Sequence, residues 1–197
     1  MSIDPETLTV YGAKAAEYAD MTQGEAENRF LSTFIAALPE GARALDLGCG
    51  PGHSAAAMAR AGIAVDAIDA VPEMVAMAQA HDGVTAWQAS FDEITGEALY
   101  DGIWANFALL HAPKADMPRH LAVLVKSLKP GGLFHIGMKT GKGEIRDTIG
   151  RLYAYYTEDE LHGLLSDAGL SPGESWTGEE RGLDGAMAPW VVIHAHG

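Results

Sequence analysis

Two carboxylates and a cluster of glycines stand where a chain could hold a nucleoside. In ALDLGCGPGHS, residues 44–54, Asp46 follows a short apolar run, and Gly48, Gly50 and Gly52 alternate after it. Glycine weakens both helix and strand, so such clustering has a backbone reason: a tight turn and close approach of main chain to ligand. About 20 residues on, Asp69 ends a second apolar run, IAVDAID, where a carboxylate can take both hydroxyls of a ribose. His111 comes after a further such run, YDGIWAN, and its imidazole has an unperturbed pKa suited to proton transfer near neutrality.

These groups need a scaffold, and the chain alternates strand-like with helix-like segments, the pattern of a doubly wound α/β sheet with helices on both faces. Strands are predicted at 43–47, 63–69, 83–89 and 100–106, with a fifth after the KPGG turn at 129–132. Helices are predicted at about 24–37, 54–62 and 71–81, the last with Pro72 in its first turn. A further helix, capped by Asp116, runs to about Leu128, and the capping box TEDE opens one that Gly169 closes. Residues 170–181 and 186–196 read as a terminal hairpin around a GLDG turn. The whole, 1–197, is read as a single domain.

Composition narrows the partners. A formal charge of −14 argues against the phosphate backbone of nucleic acid and against anionic membrane surfaces. The single cysteine, Cys49, allows no internal disulfide, and MSIDPETLTV carries Asp4 and Glu6 with no basic residue and no apolar core. No apolar stretch reaches the roughly 20 residues that span a bilayer, so a cytoplasmic protein is expected. Nothing here sets an oligomeric state.

A strand, a glycine turn and a helix suit either a dinucleotide or S-adenosylmethionine. Three details separate them. The dinucleotide fingerprint wants a third glycine where His53 stands. Asp46 would repel a pyrophosphate but suits the ammonium of a methionine moiety, a contact of about 1.5–3 kcal/mol. A closing hairpin has no place in a fold of two mononucleotide halves.

In order, LDLGCGPG, AIDAVPEM, WQASFDEI, YDGIWANFALLH and LKPGGLFHI, over residues 44–138, resemble the class I S-adenosylmethionine-dependent methyltransferase family. The resemblance implies a seven-stranded, mostly parallel sheet with an antiparallel last strand. It implies that Asp46, Gly48 and Gly50 hold the methionine end of the cofactor and Asp69 the ribose, with Ala70 and Met74 lining the adenine side. Ser90 and Phe91 fall at the adenine edge; many relatives carry Asp at the first of these, so either the Ser90 hydroxyl or Asp92 takes the amino group. Asn106 and Phe107 would flank the sulfonium. Similar family members begin with an aromatic helix that folds over the cofactor, a lid placed here at residues 1–38 with Tyr11 and Tyr18 on it.

Methyl transfer is an in-line displacement, so positioning supplies much of the acceleration. A neutral hydroxyl or amine acceptor also needs a base. His111 and Tyr18 are the candidate catalytic residues, against plain packing for each. His194 and His196 alternate on the last strand, but no third ligand accompanies them and no metal is expected. In KTGKGEIRDTIGRLYAYY, residues 139–156 are read as an acceptor-side flap, with Arg146, Arg151 and Tyr153 as substrate residues; the alternative is a solvated loop. Asn106-Phe107-Ala108-Leu109 differs from the Asn/Asp-Pro-Pro-Tyr/Phe run of enzymes that methylate base or glutamine amines. A small-molecule acceptor is therefore expected. The alternatives are a cofactor-binding protein of the same fold that transfers nothing, and a nicotinamide-dependent oxidoreductase.

Overall fold

The computed structural model describes residues 3–197, apart from the side chain of Glu25. The chain opens with α1 (Pro5–Ala13), α2 (Ala15–Met21) and α3 (Arg29–Ala37). Asp4 caps α1 by accepting from the Thr7 amide at 2.9 Å, and Asn28 caps α3 by accepting from Phe30 at 2.8 Å. The helix expected from residue 24 starts only at Arg29. A 3₁₀ turn occupies Gln23–Glu27, and Asn28 offers its side chain as a cap instead of continuing a helix.

Strand and helix then alternate through β1 (Arg43–Leu47), α4 (His53–Arg60), β2 (Ala64–Asp69), α5 (Pro72–Ala78), β3 (Val84–Gln88) and β4 (Tyr100–Asn106). Next come α6 (Met117–Ser127) and β5 (Leu128–Lys139), followed by the short strands β6 (Glu144–Arg146) and β7 (Leu152–Ala154). The chain closes with α7 (Glu158–Asp167), β8 (Ser171–Arg181) and β9 (Met187–His196).

Seven strands form one sheet in the order β3-β2-β1-β4-β5-β9-β8. The first five of that row are parallel, and β9 runs antiparallel between β5 and β8. Two expectations are corrected. KPGG does not precede the fifth strand but forms a bulge inside it: Tyr100 pairs with Leu128 and Gly102 already with Leu133. Asp116 stands at the cap of α6 without capping it, its carboxylate lying 3.4 Å from Arg119 instead.

Side chains alternate across the sheet and build a core on each face. Leu45, Leu47, Ile103, Phe134 and Ile193 pack on one side with Leu121 and Leu124 of α6 and Leu161 of α7. Ala44, Ala67, Trp104 and Val192 pack on the other with Phe34 of α3 and Met58 of α4. Each large side chain so buried contributes about 1.5–3 kcal/mol. Among the described residues no helix is long and apolar enough to cross a membrane.

Candidate active site

The carboxyl ends of β1, β2 and β4 define the site. Gly48, Gly50 and Gly52 lie at φ +67°, +52° and +83°, the left-handed region that favours glycine. Space is as restrictive as conformation. A Cβ on Gly48 would stand 2.5 Å from Cβ of Ala108, and one on Gly52 2.8 Å from Cα of Ala78. The alternation of glycines is thus required by the backbone, and it leaves the loop after β1 bare.

Asp69 binds this loop to β2. Its carboxylate accepts from the Gly50 amide at 2.9 Å and from the Val71 amide at 2.9 Å, one on each oxygen. Each oxygen keeps lone-pair capacity for a ligand hydroxyl. Burial raises the pKa of Asp69, while these backbone donors hold it down. Asp46, one residue from the end of β1, is buried at only 3% exposure. Phe107 leaves β4 at φ +54°, rare for a non-glycine residue and costing about 1–3 kcal/mol. Its amide donates to Gly137 of β5 at 2.9 Å, which holds the turn.

Three cavities meet here. Asp69, Ala70, Met74 and Phe91 line the first, and their apolar faces suit a flat heterocycle. Asp46, Gly48, Gly50 and Asn106 line the second. The third, about 380 Å³, is bounded by Phe30, Lys139, Arg151, Tyr153, Glu180 and Arg181. Tyr18 and Phe107 line all three, and Tyr11 the first and third.

Helix α1 meets the wall of the third cavity through a buried polar cluster. His111 Nδ1 lies 2.9 Å from the Leu152 carbonyl, which can only accept, so Nδ1 carries the proton. Burial, with the nearby Arg151 and Lys139 cations, lowers the His111 pKa to about 3 and keeps the ring neutral. Its Nε2 is therefore an acceptor, and the Tyr11 hydroxyl donates to it at 2.9 Å. Arg151 Nη1 in turn donates to the Tyr11 oxygen at 2.9 Å, while Arg151 also pairs with Asp147 at 2.8 Å. Edge-on contact of the Tyr11 and Tyr18 rings, 5.3 Å apart, completes the cluster, although Lys14 breaks the expected single helix between them.

A second buried chain runs beneath Asn106. His135 Nε2 is 3.1 Å from Asn106 Oδ1, and His194 Nε2 is 3.0 Å from His135 Nδ1. An amide oxygen only accepts, so His135 donates through Nε2 and receives from His194 through Nδ1. Burial pushes both imidazole pKa values down, that of His194 to about 4. His194 is thus buried beside His135 while His196 stays exposed, and no metal-binding cluster occurs among the described residues.

Two residues picked out from sequence stand elsewhere. Ser90 lines none of the three cavities; its amide and hydroxyl both donate to Glu93, at 2.8 and 2.9 Å. Asp92, its substitute, holds Arg119. Arg146 does not reach the large cavity, because its guanidinium is spent on Asp4 of the α1 cap at 2.9 and 3.0 Å. Residues 139–156, expected as a flap or a solvated loop, contain the β6–β7 ladder, with Ile145 paired to Tyr153 and Arg146 to Leu152. Sequence reasoning missed His135 and the part of the wall that Glu180 and Arg181 add beside Lys139, the first residue of the expected flap. The available signal was length: β5, β8 and β9 have 12, 11 and 10 residues against five in β1, so their ends project past the sheet edge.

A groove with carboxylates at both ends and a bare glycine loop between them, on a sheet of this order, defines a nucleoside-binding α/β enzyme. A family model described as a methyltransferase domain matches residues 44–132. Ubiquinone biosynthesis O-methyltransferase of Cereibacter sphaeroides is 27% identical over 210 residues, covering 87% of this chain and 84% of that protein. The enzyme of the same name from Xanthomonas axonopodis pv. citri is 35% identical over 101 residues, 48% of this chain, and the chain spans only 41% of that relative's length. The crystal structure of Burkholderia thailandensis 1,6-didemethyltoxoflavin-N1-methyltransferase, with 1,6-didemethyltoxoflavin and S-adenosylhomocysteine bound, is similar with a TM-score of 0.80 and 27% identity. It covers 97% of this chain and 87% of that one. Together the matched methyltransferase domain and these similar proteins support a class I S-adenosylmethionine-dependent methyltransferase, with S-adenosylmethionine as its cofactor.

Proposed function

We propose that this protein methylates a small molecule held in the 380 Å³ cavity, using cofactor bound along the other two. The carrying observation is that Tyr18 and Phe107 border all three cavities, so cofactor groove and acceptor chamber meet at these rings. S-adenosylmethionine supplies a methyl group on a sulfonium. The residues present suit it: Asp69 for two ribose hydroxyls, Ala70, Met74 and Phe91 for the adenine, and Asp46 with the bare Gly48–Gly50 backbone for the amino-acid end. Asn106 and Phe107 then stand beside the sulfonium, with Phe107 fixed by its strained turn.

Acceptor orientation falls to the Tyr11–His111 pair. Tyr11 borders the chamber with its hydroxyl donating to Nε2 of His111 and its oxygen accepting from Arg151, so the pair is a fixed polar wall for an acceptor. An imidazole with a pKa of about 3 holds Tyr11 in place and does not take the proton. Tyr18 closes the chamber from the lid. Arg151 is a positioning residue, fixing Tyr11 between Asp147 and the imidazole. The relatives are named for O-methylation and for N1-methylation, so the attacked atom here is left to the chamber's own chemistry.

The reading treats the chain as one domain, with residues 1–38 as lid and 139–156 as the acceptor-side wall. It places the enzyme in the cytoplasm with Cys49 as a buried thiol, and it excludes nucleic acid as substrate on the −14 charge. The test is turnover. Purified protein with S-adenosylmethionine and a panel of small hydroxylated and N-heterocyclic acceptors should release S-adenosylhomocysteine only with an acceptor present. Tighter binding of NAD than of S-adenosylmethionine, or cofactor binding with no turnover on any acceptor, counts against it.

A further inference from the structure

Lys139 ends β5 with its side chain in the wall of the acceptor chamber. The residue is only 8% exposed, and its ammonium stands 4.4 Å over the Tyr153 ring. Gly182, in the turn between β8 and β9, gives it room: a Cβ there would come within 3.1 Å of Nζ. Among the described residues no carboxylate lies within the 4.0 Å of an ion pair with Lys139, whereas Lys14, Lys114, Lys126 and Lys129 all have one.

The other cations of the chamber are committed. Arg151 is held by Asp147, and Arg181 donates to the Gly185 carbonyl at 2.7 Å. Arg29 lies over the Phe30 ring at 4.7 Å. Glu180 is the one carboxylate in the lining, outnumbered by four cations in a chain whose net charge is −14. Glu180, Asp184 and Asp147 act on this ammonium only from beyond ion-pair distance, so its burial is not fully offset and an arriving anion stabilises it directly. Burial accordingly lowers the Lys139 pKa. Phe30, Phe107, Tyr18 and Tyr153 line the same chamber with aromatic rings.

We propose that Lys139 selects the acceptor by binding an ionised oxygen on an aromatic ring, a phenolate or a carboxylate. This rests on the methyltransferase reading above and specifies its substrate class. The ammonium also sets polarity within the chamber, turning the anionic edge of the ring toward β5 and β7.

The test compares matched anionic and neutral probes on the full chain saturated with S-adenosylhomocysteine. At mildly alkaline pH, 4-nitrophenol is set against 4-nitroanisole, and benzoate against methyl benzoate, by calorimetric titration. At least one anion should bind about tenfold or more tightly than its neutral partner; the phenol and acid arms separate the two oxygen sources. Lys139→Met should abolish the preference and Lys139→Arg retain it, with S-adenosylhomocysteine binding equal in all three proteins. No anion preference in the wild type overturns the inference, as does a preference that survives in Lys139→Met. Failure of the wild type to bind S-adenosylhomocysteine would overturn the methyltransferase reading itself, and this inference with it.

Discussion

The Tyr11 hydroxyl and His111 Nε2 lie 2.9 Å apart although 100 residues separate them in the chain. The contact joins α1 to the turn after β4, and the fixed tautomer of His111 gives it a direction. Tyr11→Phe removes the hydroxyl that donates to Nε2 and accepts from Arg151, with little loss of ring packing. Turnover on an acceptor with a neutral hydroxyl should fall about 10²-fold, with cofactor affinity unchanged. Single-turnover rates measured with S-adenosylmethionine at saturation check this. An unchanged rate would make Tyr11 a packing residue.

Asp69 offers a second measurement. Its two oxygens already accept from Gly50 and Val71, and the remaining capacity is assigned to ribose hydroxyls. Asp69→Asn keeps one acceptor oxygen and replaces the other by an amino group that faces a backbone donor. S-adenosylhomocysteine should bind about 10- to 100-fold more weakly, the loss expected from one or two charge-assisted hydrogen bonds. Titration calorimetry reads this directly.

Gly48→Ala should be more damaging than its size suggests. The residue sits at φ +67°, and the added methyl would meet Ala108 at 2.5 Å. Left-handed strain costs about 1 kcal/mol, and displacement of the turn after β4 adds about 1–3 kcal/mol. Urea midpoints should drop accordingly, and cofactor binding should be lost with them, since Ala108 follows Phe107. A tolerated Gly48→Ala would show that the loop is not pinned against β4.

Much of this arrangement was readable locally and part was not. β1 and β4 fall at the expected residues because each is an apolar run closed by a turn or a polar residue, a pattern complete within about ten positions. The same holds for the capping box at Thr157, and for Asp46 and Asp69, whose places follow from the strands they end. Arg146 was misplaced because its partner, Asp4, lies 142 residues away and leaves no local trace. Lys139 and Glu180 line the same cavity only because β5 and β8 overrun the sheet edge, a consequence of register that no single segment carries. Asn28 is the opposite case: an N-cap residue ahead of an apolar helix, a signal present in the sequence and overridden by the apparent periodicity through 24–37.

Acid should loosen the fold through its buried histidines. The pKa of His111 falls from 6.5 to about 3 on folding and that of His194 from 6.5 to about 4, with His135 also driven well down, burial being the main cause in each. The unfolded chain therefore binds protons that the folded chain refuses. Stability from this source is complete above pH 6.5 and is lost as pH falls toward the folded values. Between pH 6.5 and about 5, His111 and His194 each cost about 2 kcal/mol, and His135 acts in the same direction. Denaturant midpoints measured at neutral pH and near pH 5 should show the loss. His135→Gln should reduce it, because a glutamine can still donate to Asn106 but takes up no proton. Cofactor affinity separates the two consequences of that substitution: if the chain from His194 positions Asn106, S-adenosylhomocysteine binding weakens at neutral pH while the acid sensitivity shrinks. An acid profile identical in wild type and His135→Gln would mean that the proton uptake lies elsewhere.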